Sequence, residues 1–175
     1  MSSGYGARPR LPGTPISDTM DAMTTPIHGR EDLLRQIVDL RRQIEPEFRP
    51  DTAAQGFSGR APSTGHCAVV AVLVQKLLGG EFVSAMVQGG SHWFNRIETL
   101  AGKLDVDVTA DQFNRRPIEI DVAGMLYDGT RVRTFDDLNT ETLQRALLLA
   151  RRSRLSEAVT FLDEVLAPRT STANR

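Results

Sequence analysis

The chain has 175 residues and a hydrophobic fraction of 40%, which suits one globular domain with a core of its own. Its formal net charge of −1 favours neither nucleic acid nor an anionic membrane as a partner. No apolar run reaches the ~20 residues of a membrane span, and the start lacks the apolar core of a secretory signal. One cysteine excludes an internal disulfide, and three histidines show no zinc-ligand spacing, so we expect no metal and no cofactor. We therefore expect a cytoplasmic location.

Composition divides the chain into three parts. Residues 1–27 are rich in Gly, Pro, Ser and Thr without apolar periodicity, which predicts a disordered leader. Residues 28–167 predict a single α+β domain, and residues 168–175 predict a disordered tail.

The first predicted helix is "REDLLRQIVDLRRQI", because its apolar residues follow one helical stripe: Leu33, Leu34, Ile37, Leu40 and Ile44. The segment "EPEFRPDTAAQGFSGRAPSTG" contains three prolines and predicts a long loop. Loops of that length usually serve function.

A second, nearly all-apolar helix is predicted from about His66 to Leu78, capped by Ser63 or Thr64 and ended by Gly79 and Gly80. Three strands come next, in "EFVSAMV", "SHWFNRI" and "KLDVDVT". "TADQF" predicts a short helical turn capped by Thr109, and two further helices close the domain. The predicted fold is α+β, with a central helix carrying the cysteine, packed on a small antiparallel sheet and flanked by helices.

The second and third strands place an imidazole near a carboxylate. Alternation puts His92 on one face with Phe94 and Arg96. A hairpin centred between Thr99 and Leu100 places His92 opposite Asp107, whereas a centre one residue earlier places it opposite Asp105.

Cys67, His92 and Asp107 therefore supply a thiol at a helix start, an imidazole on a strand and a carboxylate on the next strand. Nucleophilic catalysis by cysteine needs these groups, because a helix N-terminus and an imidazolium favour the thiolate and a carboxylate orients the imidazole. The order Cys, His, Asp matches papain-like and transglutaminase-like enzymes. The alternative is structural: a buried free cysteine and a hydrogen-bonded core histidine.

The segment from "GHCAVVAVLVQKLLGG" through "GSHWFNR" to "VDVTADQF" resembles the YunG-like family of small bacterial proteins over residues 45–155. The positions that carry the resemblance are Cys67, Gln75, Gly79, Gly80, Ser91, His92, Asn95, Arg96, Asp107, Thr109, Gln112 and Phe113. The resemblance implies a papain-like or transglutaminase-like fold with Cys67, His92 and Asp107 as a triad. It implies no substrate.

One position departs from the family pattern, because His66 stands where the family has a glutamine before the cysteine. The side-chain donor to an oxyanion would then be His66 or Gln55. Asp105 and Asn95 complete the residues expected around the site.

The function predicted from these residues is hydrolysis or acyl transfer on an amide, isopeptide or thioester, with a peptide, protein or small amide as substrate. The alternative is a non-catalytic member of the same fold that binds a peptide or a partner protein.

Overall fold

The computed structural model describes residues 29–56 and 59–172, which form four α-helices and one five-stranded antiparallel sheet. The predicted α+β class is confirmed in this part of the chain. The predicted leader, residues 1–27, lies outside the described residues.

The two predicted N-terminal helices are present as α1 (Arg30–Ile44) and α2 (Cys67–Leu78). Helix α1 buries an i, i+4, i+7, i+11 stripe formed by Leu33, Ile37, Leu40 and Ile44, whereas Leu34 at the edge of that stripe is exposed. Helix α2 is apolar nearly all round and lies in the main core between the sheet and helices α3 and α4.

Helices α3 (Thr140–Arg152) and α4 (Ser156–Thr172) close the described chain. Asn139 caps α3 by accepting a hydrogen bond from the Thr142 N–H at 2.8 Å. The predicted tail begins at residue 168, whereas α4 continues through Pro168 to Thr172. Proline removes one backbone donor from the helix, and in α4 that loss does not end it.

The sheet contains β1 (Glu81–Val87), β2 (Gly90–Thr99), β3 (Gly102–Asp107), β4 (Glu119–Val122) and β5 (Arg131–Arg133). The strand order is β4-β3-β2-β1-β5. Strands β1 to β3 were predicted. The edge strands β4 and β5 were not, because segments of four and three residues are too short to display an alternating pattern.

Apolar side chains pack on both faces of the sheet. One face packs against α2 through Phe82, Ile97, Leu104 and Val106. The other face holds a smaller cluster in which Val83, Ala85 and Phe94 contact Leu126 and Tyr127, which lie between β4 and β5. His92 points to the same face as Phe94, so this smaller cluster lies beside a predicted site residue.

The register of the β2–β3 hairpin differs from the prediction. Arg96 pairs with Asp105 and Thr99 with Gly102, so the hairpin is centred between Leu100 and Ala101, one residue later than expected. Gly102 has φ +107, and Thr99 Oγ1 donates to its carbonyl oxygen at 2.7 Å, which fixes this tighter loop. The predicted direct pairing of His92 with Asp107 is wrong, and so is the alternative pairing with Asp105. Because moving the centre by one residue shifts each partner by two, Asp107 stays on the face of His92.

Candidate active site

Cys67 is the first residue of α2, and its half-buried thiol lines a cleft of about 250 Å³. Three segments form the other walls: the loop at 59–64, the β1–β2 turn at 87–91 and the 3₁₀ turn Ala110–Phe113 with Asn114. The thiol therefore lies at a helix start that opens to solvent, as an attacking group requires.

His92 joins Cys67 to Asp107. Its Nε2 lies 2.7 Å from Asp107 Oδ2, and its Nδ1 lies 3.5 Å from the Nε2 of Gln112, which lines the cleft. Burial alone would lower the pKa of His92, but hydrogen bonding and charge from Asp107 and then from Cys67 raise it to about 9. The three residues predicted as a triad are thus brought together.

Aromatic rings enclose the imidazole. Phe113 and Tyr127 contact it edge-on, with ring centroids 4.7 Å and 5.2 Å away, and Phe94 stacks at 6.0 Å. The ring is 1% exposed, so its hydrogen bond with Asp107 forms in a site of low dielectric constant.

Asp107 is fully buried and accepts four hydrogen bonds. Besides His92, the donors are Tyr127 Oη at 2.6 Å, the Thr109 N–H at 2.8 Å and Thr109 Oγ1 at 3.0 Å. Burial would raise the pKa of Asp107, but His92, Tyr127 and Thr109 outweigh that effect and hold the pKa below its ordinary range. The carboxylate stays ionised and fixes the proton of His92 on Nε2, because it only accepts hydrogen bonds.

Tyr127, Thr109 and Gln112 belong to this site, and the sequence prediction gave none of them a role there. Burial and the charge of Asp107 raise the pKa of Tyr127, so its hydroxyl stays protonated and donates. Thr109 was expected to cap the 3₁₀ turn, but its hydroxyl donates to Asp107 instead. Gln112 Nε2 donates to the Thr109 carbonyl oxygen at 2.8 Å. The family motif contained Thr109 and Gln112, whereas no sequence pattern marks Tyr127.

His66 and Gln55 lie outside the cleft and line a separate cavity of about 500 Å³. His66 stacks on Phe48 at 4.4 Å, its Nε2 lies 3.0 Å from Thr52 Oγ1, and its Nδ1 donates to the Thr64 carbonyl oxygen at 3.1 Å. Burial lowers the pKa of His66, so it is a neutral side chain with both nitrogens in use. The expectation that His66 or Gln55 supplies the oxyanion donor does not fit this arrangement.

Asp105 and Asn95 also have structural partners. Both oxygens of Asp105 bind Arg96, at 2.7 and 3.1 Å, and Oδ2 accepts the Gly124 N–H at 2.7 Å. Asn95 Nδ2 donates to the Ala71 carbonyl oxygen at 3.0 Å and so ties β2 to α2 one turn beyond Cys67. Neither residue lines the cleft.

A buried ion pair supports two of the cleft's walls. The Arg41 guanidinium of α1 donates to the Val108 carbonyl oxygen at 2.6 Å and to Asp111 Oδ2 at 3.1 Å. Ser63 and Thr64 were the alternatives predicted to cap α2, but neither does: Ser63 donates to Asp111, and Thr64 donates to the Ala61 carbonyl oxygen. The loop before Cys67 and the turn that carries Gln112 are thereby held together.

Within residues 29–56 and 59–172, no group of three or more His, Cys, Asp or Glu side chains is arranged to hold a metal ion. No helix in these same ranges is long and apolar enough to cross a membrane.

A model of the YunG protein family matches residues 36–154. No curated protein and no solved structure matches the chain. The family match includes every cleft wall and all three residues of the Cys67, His92 and Asp107 group, and it spans more than half of the sequence. The protein belongs to the YunG family.

Proposed function

We propose that this protein is a cysteine-dependent hydrolase or acyl transferase that acts on an amide, isopeptide or thioester. One observation carries the proposal: the cleft that contains the Cys67 thiol is also lined by Gln112, the neighbour of His92 Nδ1, while His92 Nε2 is held at 2.7 Å by the buried carboxylate of Asp107. A buried histidine with a purely structural role needs only a hydrogen-bond partner such as Asp107. It does not need an accessible thiol nearby.

Acylation begins when the Cys67 thiolate attacks the substrate carbonyl carbon. The carbonyl electron pair moves to oxygen, and a tetrahedral oxyanion forms. When this intermediate collapses, the bond to the leaving amine or thiol breaks and the His92 imidazolium donates its proton to that group. Asp107 stabilises the imidazolium and holds the ring in the orientation for transfer. The product is an acyl-thioester on Cys67.

Deacylation uses the same residues in reverse. Neutral His92 takes a proton from water or from an acceptor amine, which attacks the thioester carbonyl and releases Cys67. Water as the acceptor gives hydrolysis, and an amine gives transfer. Both outcomes use one site and the same first half-reaction.

Two donors in the cleft suit the oxyanion. The N–H of Cys67 lies in the first turn of α2, where backbone N–H groups have no partner within the helix. Gln112 Nε2 uses one hydrogen on Thr109 and lies 3.5 Å from His92 Nδ1. An imidazolium Nδ1 cannot accept the second hydrogen, so that hydrogen can serve the cleft once His92 is charged. Gln112 thus takes the role that the sequence assigned to His66 or Gln55.

The fold carries a finer inference of the same kind. A cysteine at the start of a central helix, a histidine on a following strand and an aspartate on the next strand is the arrangement of papain-like and transglutaminase-like enzymes. We infer that the YunG fold is related to theirs. The order of the three residues along the chain and the cleft at Cys67 support this inference.

The test is acylation of Cys67 by p-nitrophenyl acetate, followed by p-nitrophenol release and intact mass. The wild type should give a burst and one acetyl group on the single cysteine. Cys67→Ala should give neither, and His92→Gln, shown to be folded by circular dichroism, should lose the burst. If wild-type Cys67 is acetylated no faster than Cys67 of the denatured chain, the proposed enzymatic function is rejected. The alternative, a non-catalytic protein that binds a peptide or a partner protein, would then stand.

Gln112→Met separates oxyanion stabilisation from thiol activation. Acylation should slow on the order of 10²-fold, as loss of an oxyanion donor typically does. Alkylation of Cys67 by iodoacetamide should change little, because displacement of iodide forms no oxyanion. Equal losses in both reactions would show that Gln112 acts through Cys67 or His92 instead.

A further inference from the structure

A further cavity, of about 260 Å³, lies next to the cleft at the β1–β2 hairpin. Strands β1 and β5 form its walls, and Ser91 lines both this cavity and the cleft that contains Cys67. Ser91 directly precedes His92 along β2. A molecule bound at Cys67 can therefore extend past Ser91 into this neighbouring cavity.

Two arginines line this cavity, and among its lining residues, all of which the structure describes, there is no carboxylate. In the β1–β5 register, Phe82 pairs with Arg133 and Ser84 pairs with Arg131. Alternate residues of a strand share a face, so both arginine side chains are directed to the same side. The cavity consequently has a positive lining.

The two arginines differ in how they are held. Arg133 Nε donates to the buried Ser84 Oγ at 2.8 Å, and its guanidinium carbon lies 5.9 Å from the Trp93 ring centre. Its Nη1 also reaches Asp137, at the long distance of 3.4 Å. The side chain of Arg131 is exposed and has no hydrogen bond or ion pair with any residue in the described ranges. The guanidinium of Arg133 is therefore preorganised, and the guanidinium of Arg131 is free to bind a ligand.

We propose that this cavity binds a carboxylate of the substrate, so that the enzyme selects acidic amides or thioesters for attack by Cys67. The proposal rests on the function proposed above. A guanidinium presents parallel N–H donors that match the two oxygens of a carboxylate, and such charge-assisted pairs are among the stronger hydrogen bonds. Ser91 supplies a hydroxyl where the substrate passes between the two cavities.

The test compares two alkylating reagents of equal size, N-iodoacetylglycine, which is anionic, and N-iodoacetylglycinamide, which is neutral. Both react with the single cysteine, so the ratio of their rate constants measures how much a negative charge on the reagent accelerates its reaction with Cys67. Arg131→Gln and Arg133→Gln should each lower the ratio of anionic to neutral rate, and the double variant should lower it on the order of tenfold. Arg151→Gln is the control, because Arg151 binds Asp163 on α4, and its ratio should equal that of the wild type.

The outcomes separate this proposal from the one on which it rests. An unchanged ratio in the double variant, with His92-dependent alkylation intact, overturns the carboxylate site and assigns both arginines to protection of an edge strand. Alkylation by both reagents at the rate of the denatured chain overturns the proposed function itself. A ratio that falls equally in Arg151→Gln would show general electrostatic attraction and would also overturn the site.

Discussion

Two carboxylates on β3, Asp105 and Asp107, are equally buried but serve different purposes. Asp105 neutralises Arg96 through two hydrogen bonds, whereas Asp107 holds His92 and accepts three further donors. The difference arises from where the strand ends: Asp107 is the last residue of β3, so the chain turns there and Thr109 folds back onto the carboxylate. Identity and burial alone do not assign a role to either residue.

Asp107→Asn should slow alkylation of Cys67 by iodoacetamide at pH 7 roughly tenfold or more. The imidazolium that favours the thiolate loses its counter-charge, and an amide permits the wrong orientation of the ring. Asp105→Asn should leave that rate within about twofold, while lowering the free energy of unfolding by about 3 kcal/mol because Arg96 loses its partner. A larger kinetic effect from Asp105→Asn would contradict the assignment.

At the scale of elements, the glycine pair at the end of α2 sets the position of that helix. Gly79 and Gly80 have φ of +80 and +88, so the chain passes from helix directly into β1. A Cβ added at Gly80 would lie 2.5 Å from the Arg96 carbonyl oxygen of β2, a distance that backbone atoms cannot accommodate without moving. The two glycines thereby seat the helix against the strand that carries His92.

Gly80→Ala should lower the free energy of unfolding by about 3 kcal/mol or more, because it combines an unfavourable φ with a backbone clash. Gly124→Ala is a matched control, since Gly124 has φ +85 but nothing within 4 Å of an added Cβ. That variant should cost only the ~1–2 kcal/mol of the left-handed conformation. Urea denaturation measures both, and equal losses would show that the close approach to Arg96 is unimportant.

Sequence patterns predicted the long elements well and the contacts between them less well. Strand β1 was predicted at its observed bounds and α2 within one residue, because apolar runs and glycine stops are local signals. The hairpin register depended on a two-residue loop whose geometry Thr99 and Gly102 determine together. The pairing was therefore wrong, yet the two-residue periodicity of strands kept His92 and Asp107 on one face.

The remaining parts of the site depend on the whole molecule. Tyr127 reaches Asp107 from an irregular segment, and Gln112 owes its position to a turn that Arg41 supports from α1. Such contacts join segments far apart in sequence, and no local periodicity reports them. His66 was assigned to the site because it stands where the family has a glutamine before the cysteine. Adjacent residues at a helix start diverge, however, and the ring of His66 is directed to Thr52 and Phe48.

Arg41→Met should lower the free energy of unfolding by roughly 3 kcal/mol, because Asp111 would lose the partner that neutralises it in a mostly buried site. Arg42→Met is the control one residue away. Arg42 is exposed and lies 3.7 Å from Asp39, so its loss should change stability by no more than about 0.5 kcal/mol. Urea denaturation of both variants measures the difference, and similar values would mean that the Arg41 network does not support the cleft.

The coupling of Cys67, His92 and Asp107 is tested most directly by NMR titration of the His92 imidazole nitrogens. The wild type should keep a charged imidazolium through neutral pH and lose the proton near pH 9, well above the ordinary histidine value of 6.5. Cys67→Ser and Asp107→Asn should each lower that midpoint, because each removes a group that favours the charged ring. A His92 that titrates at or below 6.5, unmoved by Cys67→Ser, would contradict the account and make the thiol structural.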